Sequence, residues 1–98
     1  MYSIIETETF TDWLNALRDG VARNRLVLRL RKASLGNLGD VKPVGDGVFE
    51  MRDFFGPGWR MYYVMRSGTM IFMLGGGDKP NQERDIAKAK TLALEIEK

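Results

Sequence analysis

Four polar side chains, two of them arginines suited to handling an anion, recur at alternate positions in one stretch of the chain. Glu50 and Arg52 alternate with Phe49 and Met51, Gly56-Pro57-Gly58 reverses the chain, and Arg60 and Tyr62 alternate with Trp59, Met61 and Tyr63. A period of two places Glu50, Arg52, Arg60 and Tyr62 on one face of a hairpin and the apolar set on the other. Two readings stay open. One is a half-exposed sheet whose wet side carries charge. The other is an open, cationic, aromatic-bearing surface that holds an anionic substrate. A second basic set, Arg25, Arg29 and Lys32 with Arg18 nearby, has the i, i+4, i+7 spacing of a helix stripe. It is either a solvated helix face or a grip on phosphates.

The residues that are missing narrow the chemistry further. The 98 residues include no histidine and no cysteine. Zinc sites built from them, Ser-His and Cys-His nucleophile pairs and a histidine base are therefore excluded. Any catalysis must use Lys, Arg, Tyr, Asp or Glu, and no metal or other cofactor is expected. Without cysteine there is no disulfide framework, which fits the cytoplasm. No apolar run reaches the ~20 residues of a membrane span, and no signal-peptide pattern opens the chain. Net charge is only +2, yet residues 18 to 32 hold six cations against Asp19 alone. A basic band on a near-neutral protein suggests docking to phosphates or to an acidic partner.

The elements that must position these groups read as β-α-α-β-β-β-β-α, one α+β domain over residues 1–98. Met1 to Thr7 is expected as an edge or second strand. Thr9 or Thr11 is expected to cap a helix whose core stripe is Phe10, Trp13, Leu14 and Leu17. A second helix begins near Val21 with Ala22, Leu26, Leu30 and Ala33 inward, making a helical hairpin over the apolar sheet face. Asp40 to Val44 reads as a short edge strand around Pro43. Met70 to Leu74 reads as a central strand covered on both sides. From about Pro80 a last helix runs with a narrow seam of Ile86, Ala89, Ala93 and Ile96, small enough for close approach to the sheet. The glycine-rich segments lack the Gly-Lys-Ser/Thr of a phosphate-binding P-loop.

Four pieces, in order, resemble one family: F-x-x-W-L-x-x-L-R-D (Phe10 to Asp19), L-G-N-L-G-D-V-K-P-V-G-D-G-V-x-E-x-R (Leu35 to Arg52), G-P-G-W-R-x-Y (Gly56 to Tyr62) and G-G-D-K-x-x-Q-x-x-D-I (Gly76 to Ile86). Together they are similar to the addiction-module killer proteins, a HigB-like branch of the RelE/ParE toxin superfamily. The resemblance implies a small antiparallel-rich sheet under an N-terminal helical hairpin, with a C-terminal helix. It implies a toxin paired with a helix-turn-helix antitoxin, through which alone it would reach operator DNA. RelE-like relatives cut mRNA on the ribosome without a metal, whereas ParE-like relatives inhibit a protein target such as DNA gyrase. On the first pattern Arg60 stabilises the phosphate, Arg52 is a second phosphate contact, and Lys79 is the basic residue after the last strand. Asp85 stands where several relatives carry Tyr, and is either a general base or an ordinary first-turn acid. Lys42, Tyr62 and Gln82 would contact RNA, with Tyr62 offering a stacking face and Lys42 a further basic group. Arg25, Arg29 and Lys32 would grip ribosomal RNA backbone, or belong to the target-binding hairpin on the gyrase pattern.

Overall fold

A computed structural model, describing residues 1–96, resolves the chain into β1 (Ser3–Glu6), α1 (Glu8–Asn15), α2 (Gly20–Ser34), β2 (Val41–Gly45), β3 (Val48–Asp53), β4 (Trp59–Arg66), β5 (Met70–Gly77) and, after a 3-10 turn at Lys79–Asn81, α3 (Gln82–Ile96). The strands form one mixed sheet in the order β1-β5-β4-β3-β2. Only β1 runs parallel to its neighbour, β5; the other pairs are antiparallel. The α+β architecture and element order are those expected. No helix among the described residues is long and apolar enough to cross a membrane.

The period-two alternation sorts the sheet into two cores. One face carries Met51, Met61, Tyr63, Ile71 and Met73, and the N-terminal helices cover it with Phe10, Leu14, Leu26, Leu30 and Ala33. Trp13 packs against this core, as expected. The cap of α1 is Thr7, not Thr9 or Thr11: its hydroxyl oxygen accepts from the Phe10 N–H at 3.2 Å and its O–H donates to the Met73 carbonyl at 2.7 Å. One residue thus ends β1 and starts the helix, which leaves no room for a later cap. Asp19 caps α2 through the Val21 and Ala22 N–H groups.

The second face departs from both readings of the hairpin. It is neither wet nor open, because α3 lies across it. Ala89 and Ala93 bury against Val48, Tyr62, Val64 and Leu74, with Ile86, Leu92 and Ile96 flanking them. Residues this small let the helix axis approach until the strand side chains lose contact with water. The register still places Glu50 opposite Tyr62 and Arg52 opposite Arg60, so the shared face is as the alternation requires.

Two glycines at the end of β5 permit close approach from either side. A Cβ on Gly76 would lie 2.4 Å from the Trp13 ring, and one on Gly77 would run into the Asp85 carboxylate. Gly75, beside them, has open space around its missing side chain. Gly76→Ala is expected to lower unfolding stability by about 1–3 kcal/mol through overpacking. Gly75→Ala should leave it within about 0.5 kcal/mol of wild type. Equal urea midpoints for the two variants would show that Trp13 is not held by the glycine.

Candidate functional site

Beneath the first turn of α3 the hairpin buries an ion pair. Arg60 on β4 is 6% exposed and Glu50 on β3 is 0% exposed. Arg60 Nε stands 3.5 Å from Glu50 Oε2, while Arg60 Nη1 donates to the Gly58 carbonyl at 2.8 Å. Gln82, the first residue of α3, donates from Nε2 to Glu50 Oε2 at 2.8 Å. One carboxylate therefore joins β3, β4 and α3. Tyr62, 1% exposed, completes the cluster. Burial, then the nearby charge of Glu50, push its phenol above the ordinary value. It stays protonated at neutral pH and is not a base, and its hydroxyl is buried without a hydrogen-bond partner among the described residues. Its ring is covered as well, so the expected stacking face for RNA is not presented.

Lys79 and Asp85 approach the same place from the segment after β5. Gly58 separates Arg60 from Lys79: a Cβ there would sit 3.0 Å from Arg60 Nη1 and 3.3 Å from Lys79 Cβ. The Lys79 N–H donates to the Pro57 carbonyl, which ties the hairpin turn to the 3-10 turn. Asp85 lies against Gly77, the register partner of Arg60. Burial raises its carboxyl, Arg84 and Lys88 oppose the shift, and Asp78 adds to it. It is also ion-paired with Arg84 Nε at 3.8 Å and lines a groove of about 890 Å³ between α1 and α3. The arrangement offers a fixed guanidinium, an exposed ammonium and a carboxyl nearer neutrality than usual. These are groups for charge stabilisation and proton exchange at a phosphate.

The remaining expected contacts are dispersed. Arg52 shares the face of Arg60 but turns outward to Asp40 at 3.0 Å. Lys42 is exposed on the outer strand β2, opposite Glu50 in register. Arg25, Arg29 and Lys32 lie on α2, across the sheet from Arg60. Arg29 is a structural clamp: it donates to the carbonyls of Arg52, Leu38 and Asp40 at 2.6, 3.2 and 2.8 Å. The bonds to Leu38 and Asp40 tie the connection over 35–40 to α2, the bond to Arg52 ties β3 to it, and together they take up donors that an RNA phosphate would need. Arg25 forms a two-point pair with Asp53, through Nη2 at 2.9 Å and Nε at 3.3 Å. Lys32 is exposed. Glu50 is the residue that sequence reasoning left without a role. The alternation placed it on the shared face, but only α3 makes it a buried tether.

Removing one partner of a buried pair strands the other charge. Glu50→Ala is expected to cost about 3–5 kcal/mol, and the double variant Glu50→Leu/Arg60→Met to recover most of that loss. Guanidinium denaturation curves that place both at wild-type stability would mean the pair is solvated. A pH effect follows from Asp53. Burial raises its carboxyl, but the hydrogen bonds from Arg25 and the Phe55 N–H, with the Arg25 charge, outweigh this and hold it below the usual 3.8. Its stabilising contribution is therefore complete above about pH 4 and lost as pH falls through the lowered folded value. Asp53→Asn should flatten the acid limb of a plot of melting temperature against pH; an unchanged limb would exclude this carboxylate as a cause.

No protein-family model matches the chain. An uncharacterized protein of Haemophilus influenzae is 41% identical over 90 residues, covering 92% of this chain and 91% of that protein. Among solved structures, a chain of the intact E. coli RelBE toxin–antitoxin complex superposes with a TM-score of 0.64 at 13% identity, covering 81% of this chain and 98% of that one. A chain of the RelBE2 toxin–antitoxin complex of Mycobacterium tuberculosis gives 0.55 at 21% identity, covering 80% and 98%. At these identities the structures speak to the fold. The chain belongs to one family with the Haemophilus influenzae protein, and its fold is the one shared by the matched chains of these two RelBE complexes.

Proposed function

We propose that this protein is the toxin of a type II toxin–antitoxin pair, of the HigB-like branch, and a metal-independent endoribonuclease that cuts mRNA on the ribosome. The observation that carries the reading is the convergence of Arg60 and Lys79 on Gly58, with Asp85 against the adjoining strand. Attack of a 2′-hydroxyl on the neighbouring phosphate needs positive charge for the pentavalent centre and a route for two protons. Arg60, held by Glu50 and the Gly58 carbonyl, supplies oriented charge. Lys79, exposed at the rim, is the group that reaches substrate first. Asp85, raised by burial and set against the strand position paired with Arg60, serves as the proton acceptor. The partner is a helix-turn-helix antitoxin that also binds operator DNA, and the setting is the cytoplasm.

One observation favours a second reading. Arg60 and Tyr62 lie under α3 with little exposed surface, which suits a toxin that binds a protein target, such as gyrase, and catalyses nothing. Primer extension on a reporter mRNA after brief induction separates the two. Wild type should produce new 5′ ends within translated codons, and Lys79→Ala should reduce them by about 100-fold. Lys79 is exposed, so its variant should keep the fold, whereas Arg60→Ala would strand Glu50. Arrested growth with intact message would overturn the nuclease and support the protein-docking toxin.

A further inference from the structure

The turn joining β3 to β4 displays two aromatic rings that the fold does not use. Phe54 is 71% exposed and Phe55 is 37% exposed. Each lies beneath a guanidinium: Arg52 stands 5.5 Å from the Phe54 ring centroid, and Arg25 stands 4.5 Å from that of Phe55. The turn is held in place, not merely left outside. Asp53 accepts both bonds from Arg25, and its Oδ1 also takes the Phe55 N–H at 3.1 Å. Beside it, Arg25, Leu28, Arg29, Lys32 and Asp53 line a shallow depression of about 250 Å³.

The charge of this surface is one-sided. Asp53 and Asp40 are each matched by an arginine. Arg29 spends its donors on carbonyls and keeps its charge. Lys32 pairs with no carboxylate among the described residues. Rings alternating with guanidinium planes over a cationic floor suit unstacked bases joined by phosphates. Two adjacent exposed phenyl rings, each against a guanidinium, offer aromatic faces for stacking. The same turn ends at Gly58, where Arg60 and Lys79 meet. Gly56 and Pro57 alone therefore separate Phe55 from the glycine that those two cations flank.

We propose that the Phe54–Phe55 turn, with Arg25, Arg52 and Lys32, is a stacking platform for the single-stranded message flanking the cleaved phosphate. The choice of message as occupant rests on the nuclease reading above. The test is fluorescence anisotropy with a labelled single-stranded RNA of about twelve nucleotides, 2′-O-methylated throughout so that it cannot be cut. Loss of one stacked base is worth about 1–3 kcal/mol, so Phe54→Ala should bind roughly 5- to 150-fold more weakly. Phe54→Trp should restore binding, and duplex RNA should compete poorly. Because Phe54 touches no core, neither variant should alter the melting temperature. Wild-type affinity in Phe54→Ala, no RNA binding by wild type, or loss in Phe54→Ala of antitoxin binding alone would each overturn the platform. The two proposals fail separately. Message cleaved equally by wild type and Phe54→Ala, with equal RNA affinity, removes the platform and leaves the nuclease. RNA affinity that depends on Phe54 in a protein that cuts no message keeps the platform and removes the nuclease.

Discussion

A charged pair without water constrains this fold more than any other contact. Glu50 and Arg60 face each other across β3 and β4, and α3 closes over them. Taking both ions out of water is tolerated only when geometry and extra hydrogen bonds compensate. Here the compensation comes from the hairpin turn, through the Gly58 carbonyl, and from α3, through Gln82. The turn, the strand register and the start of the last helix are thus coupled at one carboxylate. A slip of one residue in the hairpin would turn Glu50 into the methionine-rich core and leave Arg60 without its partner.

The same arrangement shapes what the site offers a substrate. A buried guanidinium bonded on one side to a carbonyl and ion-paired on another with a carboxylate has little freedom left, and preorganised charge is more effective than mobile charge at a developing anion. Its positive charge is offset in part by Glu50, so the net attraction at the rim comes from Lys79. Tyr62, kept protonated beneath the helix, is packed against Ala89 and Ala93 and presents no ring face to a substrate. The groove between α1 and α3 depends on glycine: Trp13 and Asp85 press on β5 from opposite sides because Gly76 and Gly77 have no side chains. The tract that resembles a phosphate loop in composition is a packing device.

The arginines of α2 show how a charge pattern divides into different tasks. Arg25 and Arg29 follow one another at helical spacing, yet one pairs with Asp53 and the other holds three carbonyls. Backbone carbonyls in a connection short of strand partners need donors, and a long planar side chain on the adjacent helix supplies them. The positive potential persists after the donors are used. Structural clamping and a basic surface are therefore compatible in the same residues.

Local periodicity determined much of this protein from the sequence alone. The alternation of Phe49 to Met65, the helical stripe of Ala22, Leu26, Leu30 and Ala33, and Pro43 at an edge all carry their geometry in a few neighbouring residues. The shared face of Glu50, Arg52, Arg60 and Tyr62 was legible for the same reason. What covers that face was not. The seam of Ala89 and Ala93 says that α3 approaches something closely, but not that it buries the charged side of the hairpin. The meeting of Lys79 with Arg60 at Gly58, the clamping by Arg29 and the exposure of Phe54 likewise depend on segments distant in sequence. Side-chain direction is set by the backbone within a few residues, whereas burial and partnership are set by whatever the rest of the chain brings alongside. The sequence by itself therefore decided which groups point together, and only the tertiary structure decided which of them still face water.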